Sequence, residues 1–186
     1  MTEREIHIIE SAFSLFLRYG VKRTNMNDIA KAAGIARQTL YNAFPNKDAV
    51  LRATIRLFTD RALAEVEKEL RRSETLGDKI DVVFQQLAVR PFEILHVSPN
   101  AEDIISGMNA ASRDEIAEND RAFRSVLERV FSERKEAIAN AGLSPKALAE
   151  IAQICASASK DKATDRKHLD DLLAAEKAMI LSITGR

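Results

Sequence analysis

Residues 24–51 read TNMNDIAKAAGIARQTLYNAFPNKDAVL, and their pattern organises the whole chain. Met26, Ile29, Ala30 and Ala33 recur at helical spacing, Gly34 breaks the run, and Leu40, Tyr41 and Phe44 resume it. Helix, tight turn with Gly, second short helix is the layout of a helix-turn-helix. Asn25 followed by Asp28 marks where the first of these helices begins, because an Asx side chain satisfies a free N–H there. Such a unit lays its second helix in the DNA major groove while the first braces it across the backbone.

The composition of the second helix suits that task. Leu40 and Phe44 face inward, which leaves Arg37, Gln38, Thr39, Tyr41 and Asn42 to project outward. Arg pairs with guanine, Gln and Asn with adenine, and the Thr methyl with thymine. Tyr41 adds an apolar ring and a hydroxyl that reaches a phosphate oxygen. Thr24 precedes a helix N-terminus, where a hydroxyl and free N–H groups together meet a phosphate. Lys47 opens the next helix behind Pro45 and the cap Asn46. A cation at the positive end of a helix dipole is unfavourable unless an anion sits there too, and a DNA phosphate answers that. Taken singly, each of these seven residues is an ordinary polar surface residue. The combination is what points to DNA.

Thr24-Asn-Met-x-Asp-Ile-Ala-x-x-Ala-Gly-Ile, then Thr39-Leu-Tyr-x-x-Phe-x-x-Lys47-Asp-x-x-Leu51, resembles the DNA-binding domain of TetR-family (tetracycline-repressor-like) transcriptional regulators. The resemblance covers roughly residues 6–52. It implies an all-helical dimer with three N-terminal helices for DNA and a C-terminal effector domain, and it gives Lys47 the same phosphate role. Three positions depart from the family pattern. Ala36 stands where Ser or Thr is usual, leaving the third helix without its hydroxyl cap. Gln38 stands where Gly is usual, and Ala43 where an aromatic or His is usual.

Working outward, Thr2 and Glu5 form a capping box that opens a helix to about Tyr19, with Ile6, Ile9, Phe13, Phe16 and Leu17 as its stripe. Gly20 ends it. His7 reads as an exposed surface residue. Only six Gly and four Pro in 186 residues favour helix throughout, so the fold class is all-α with about nine helices. No apolar run is long enough to span a membrane, and the N-terminus lacks a signal-peptide core. With a single cysteine, Cys155, this predicts a cytoplasmic protein. Net charge is zero, but unevenly placed. Residues 1–55 carry eight Lys/Arg against five Asp/Glu, and the remaining 131 carry 20 against 23. A basic head on an acidic body has the right sign for DNA.

The division expected is a helix-turn-helix domain at 1–46 and a ligand-binding and dimerisation domain at 47–186, with a helix over 47–72 connecting them. Leu51, Ile55, Phe58, Ala62, Val66 and Leu70 keep one face of that helix apolar. A stripe from Ile80 to Ala88 follows, with Pro91 as a kink. Val97-Ser98-Pro99-Asn100 is a turn that starts a helix with Ile104, Ile105 and Met108. A long helix runs from Asp114 to Asn140, and Ser144-Pro145 opens the next.

Phe84, Phe92, His96, Met108 and Phe123 are candidates for an effector pocket, against the plainer reading that they are core. The last two helices, about 145–159 and 166–184, carry stripes that include Leu148, Ile151, Cys155 and Leu169, Leu172, Leu173, Met179, Ile180. Cys155 reads as packing rather than a reactive thiol. Apolar faces on terminal helices need cover, and the resemblance supplies it as a four-helix bundle with a second chain. No metal-ligand spacing links His7, His96 and His168, and no phosphate loop or catalytic constellation is present. Neither an enzyme, a cofactor nor a metal is expected. The function expected is a DNA-binding regulator, a homodimeric repressor released from a palindromic operator by a small apolar effector. The competing reading is a helical adaptor that keeps the fold without DNA control.

Overall fold

The structure, a computed structural model, describes residues 1–96 and 98–185, with the side chains of residues 109–111 left aside. Val97 of the turn expected at 97–100 lies outside the described residues. The described residues form eleven α-helices and one π-helical turn, with no strand among them. The helices are α1 Glu3–Tyr19, α2 Met26–Ala32, α3 Arg37–Ala43, α4 Lys47–Leu70, α5 Leu76–Phe84, α6 Arg90–His96, α7 Ala101–Ala111, α8 Arg113–Ser132, α9 Lys135–Asn140, α10 Pro145–Lys162 and α11 Arg166–Thr184.

Local chemistry sets most of the boundaries. The Thr2–Glu5 and Asn25–Asp28 capping boxes both form, and Asn46 Oδ1 accepts the Ala49 N–H at 2.9 Å to open α4. Thr75 and Asp78 cap α5 in the same way. Ser144 caps α10 with Pro145 in the first turn, and Asp165 caps α11 through the His168 N–H. Gly34 takes φ +64 in the turn between α2 and α3, a conformation that a side chain would oppose.

Two stretches differ from the periodicity. The helix expected through Pro91 widens at Gln85–Val89 into a π-helical turn, and the Arg90 N–H reaches back to Gln85 O. Proline cannot donate, and its ring crowds the carbonyl four residues earlier, so the ladder slips by one residue ahead of it. The long helix expected over 114–140 breaks between α8 and α9. There Glu133 and Arg134 donate to Val130 and Phe131, three residues back, and form a tight turn. No Gly or Pro announces this break.

The chain packs as two compact units. The first comprises Met1–Asp60 with Leu95–Asn119, and the second Arg61–Ile94 with Asp120–Arg186. In this division α7 groups with the N-terminal helices, and the boundary at 60/61 falls within α4. In the first unit Ile8, Ile9, Phe16, Ile29, Leu40, Leu51 and Ile104 form a fully buried core. The inner face of α1 is thus turned toward Ile8 and Ala12, with Ile6, Phe13 and Leu17 only partly covered. Phe13 packs on Phe58 with ring centroids 4.6 Å apart. In the second unit Ile80, Phe123, Leu127, Phe131 and Ile138 anchor the core.

The candidate effector residues are divided between the two units. Phe84, Phe92 and Phe123 are buried in the core of the second unit, whereas His96 and Met108 belong to the first, His96 exposed and Met108 packed on its core. Aromatic residues at helical spacing here serve packing. The stripes of α10 and α11 also divide. Leu148, Leu169, Leu173 and Ile180 are buried within the chain, and Leu172 is half-buried. Ile151, Ile154 and Met179 stay 50%, 53% and 60% exposed. Cys155, read from the sequence as packing, is exposed beside them. Both helices carry apolar residues on two faces, and only one face meets the chain's own core.

Candidate nucleic-acid interface

α2 and α3 meet through small residues and the Gly34 turn, with the Ile35 N–H donating to Ala30 O at 3.0 Å. This presents α3 along one side. Leu40 is fully buried and anchors the helix, while Arg37, Gln38 and Asn42 are exposed and Thr39 and Tyr41 half-buried. Ala36 leaves α3 without a side-chain cap, as its residue type dictates.

The outward side chains pair along the helix. Gln38 Nε2 donates to Asn42 Oδ1 at 2.9 Å, so the two amides point as a unit. The Arg37 guanidinium lies 5.4 Å from the centre of the Tyr41 ring. That cation–π contact spreads arginine and tyrosine over one patch. Lys22, Thr24, Asn25, Met26, Asn27, Arg37, Tyr41 and Lys47 line an open groove of about 490 Å³. Three cations and no carboxylate border it, so an anion is the occupant its electrostatics favour.

Lys47 sits at this groove in a more constrained way than the dipole argument requires. Its ammonium donates to Val21 O at 2.7 Å and to Thr24 O at 3.0 Å. An ammonium has three donors, so one remains for a phosphate. Thr24 differs from expectation. Its hydroxyl donates to Gly20 O at 2.7 Å, and the residue is only 2% exposed. A buried hydroxyl beside an orphan helix-end carbonyl takes that partner in place of a phosphate. Thr24 thus shapes the turn, and its carbonyl serves Lys47. His7, read as plain surface, bridges α1 to the end of α2 through Nε2 at 3.2 Å from Ala33 O.

The sequence reading omitted Lys22, Asn25 and Asn27 from the site. No motif marks Lys22, and the spacing of Asn25 and Asp28 speaks only for capping. Asn25 Oδ1 does accept the Asn27 and Asp28 N–H groups, but its place on the groove wall follows from the fold.

Residues 8–54 match the family described as bacterial regulatory proteins, tetR family. The chain is 34% identical over 62 residues to the HTH-type transcriptional repressor ComR of Escherichia coli (strain K12), covering 33% of this chain and 30% of ComR. It is 27% identical over 143 residues to the HTH-type transcriptional repressor KstR2 of Rhodococcus jostii (strain RHA1), covering 67% of this chain and 70% of KstR2. Matches to curated relatives such as ComR span only about a third of those proteins' own length. The structure of the transcriptional regulator FadR from Bacillus subtilis in complex with stearoyl-CoA superposes with a TM-score of 0.64. That match covers 97% of each chain at 18% identity, a likeness of fold. Residues 8–54 therefore carry the N-terminal domain of the TetR family of bacterial regulatory proteins.

Proposed function

We propose that the chain is a sequence-specific DNA-binding transcriptional regulator, a repressor that binds a palindromic operator as a homodimer and leaves it when a small-molecule effector binds. The observation that carries this reading is the juxtaposition of the exposed Arg37, Gln38 and Asn42 of α3 with the cationic groove of Lys22 and Lys47. The side chains on α3 read base edges, and the groove holds backbone phosphate.

The dimer rests on α10 and α11, where Ile151, Ile154, Cys155 and Met179 leave an apolar face uncovered by the chain itself. A second copy covers it, and its two-fold axis sets two recognition helices roughly 34–36 Å apart or a multiple of that. The effector is assigned to the second unit. The Bacillus subtilis FadR structure, of the same fold, is described as a complex with stearoyl-CoA, a ligand with a long apolar chain, which supports an effector site in this unit. It acts through its different affinity for the DNA-competent and released states.

Fluorescence anisotropy on duplexes selected from a random pool, at two salt concentrations with competitor DNA, tests the reading. A shared palindrome bound at ~10⁻⁸ M or tighter is the expected result. Weak binding without sequence preference favours the adaptor reading, for which the uncapped α3 start at Ala36 is the supporting observation.

A further inference from the structure

The turn that presents Lys22 to the groove is held from the far side by α7. Ser98 Oγ donates to Leu17 O at 2.8 Å, and Asn100 Nδ2 donates to Arg18 O at 3.1 Å. Both cover orphan carbonyls at the end of α1. A Cβ on Gly107 would come 2.9 Å from Val21 Cγ1, so α7 lies directly against the turn. Within this contact Asp103 Oδ2 accepts the Lys22 N–H at 3.0 Å. The fit is close. Gly20 has φ +84, and a Cβ there would sit 2.5 Å from Asp103 Oδ2.

The other carboxylate oxygen, Oδ1, is buried and has no hydrogen-bond partner among the described residues. The Lys22 ammonium faces it at 3.6 Å, on a side chain that is 83% exposed. Asp103 stays ionised under this arrangement. The Lys22 N–H holds its carboxyl below the ordinary carboxylate value against the opposing effect of burial, helped by the Lys22 charge. One residue therefore grips the backbone of Lys22 and draws on its charge.

We propose that Asp103 is a positioning residue for DNA binding, pinning the backbone of Lys22 at the groove while its carboxylate competes with DNA phosphate for the Lys22 ammonium. The inference rests on the DNA-binding reading above. On contact with DNA the ammonium passes from a weak intramolecular pair to a phosphate, and the anchor on the Lys22 N–H stays in place. Binding affinity for any sequence is set lower than the cations alone would give, which favours release from non-specific DNA.

Asp103→Asn separates the two roles, because its amide oxygen still accepts the Lys22 N–H while the charge is gone. The 186-residue chain, Asp103→Asn, Lys22→Met and the double variant are titrated with a random-sequence duplex at two salt concentrations. Asp103→Asn binds about two- to fivefold tighter, from the strength of exposed ion pairs, and its salt slope steepens by up to about 0.9. In the Lys22→Met background the same substitution has no effect. An equal gain in both backgrounds marks a general charge effect and overturns the proposal, as does no gain in either.

Hydrogen exchange at the Lys22 amide, measured without DNA, tests the anchor separately. Exchange is accelerated in Asp103→Leu and unchanged in Asp103→Asn, and an amide indifferent to both overturns the pinning role. A wild-type chain that binds no duplex at all overturns the DNA-binding reading and the competition with it, while the exchange result still judges the anchor.

Discussion

The Lys47 ammonium, at the start of α4, donates to Val21 O across 2.7 Å and thereby ties the fourth helix to the turn after the first. The same nitrogen reaches Thr24 O, so one side chain closes the groove floor from two sides. Two of its three N–H donors are thus engaged by backbone carbonyls.

Lys47→Ala is therefore expected to do two things. Binding weakens for all sequences alike, with the salt slope reduced by about one. Folding stability also falls by about 1 kcal/mol, because two carbonyl oxygens lose a charged donor. Anisotropy at several salt concentrations and urea unfolding measure the two effects, and a change in base preference would falsify the phosphate assignment.

The Gln38–Asn42 hydrogen bond couples the orientations of the two amides. Gln38→Ala frees Asn42 to rotate, so the variant loses roughly 1–3 kcal/mol on its operator and relaxes preference at neighbouring base pairs. Repeating the selection from random duplexes with the variant checks this, and an unchanged consensus would place these residues off the bases.

Ala36 has the extended backbone of a helix cap, φ −64 and ψ 143, but no side chain to act as one. Ala36→Ser supplies the missing acceptor and is expected to stabilise the fold by about 0.5–1 kcal/mol. A denaturant midpoint that does not rise would show that the α3 N–H groups are already satisfied in solution.

Glu176 on α11 is 5% exposed, and neither carboxyl oxygen has a hydrogen-bond partner among the described residues. Burial pushes its pKa up to about 8 from an ordinary 4.5. The folded chain thus keeps a proton that the unfolded chain releases between about pH 4.5 and 8. The group's contribution is fully present below that window and is lost as pH rises through 8, at a cost of roughly 3–5 kcal/mol. The Tm of the wild type is expected to fall between about pH 4.5 and 8 and to level off above, and Glu176→Leu to flatten that fall. Parallel pH profiles for the two chains would remove Glu176 as the cause.

The exposed Ile154 on α10 offers the cleanest probe of the dimer. Light scattering at tens of micromolar should give twice 20.7 kDa for the wild type and a single chain for Ile154→Glu. A wild type that runs as one chain refutes the homodimer.

Local signals settled much of this protein in advance. The Thr2–Glu5 and Asn25–Asp28 boxes, the Asn46 and Ser144 caps, Gly34 in its turn and the apolar Leu40 beneath a polar α3 face all act within a few residues, so they are visible in the chain as written. The family motif is legible for the same reason.

Tertiary structure decided what depends on residues distant in sequence. It turned the Thr24 hydroxyl onto Gly20, set Lys47 on Val21, brought Asp103 from 81 residues away to Lys22, and left Ile151 and Met179 outside while Leu148 and Ile180 went in. Periodicity shows that a helix has an apolar face. Where a helix has two, or where a polar group has several partners within reach, only packing and the need to satisfy buried polar atoms choose between them.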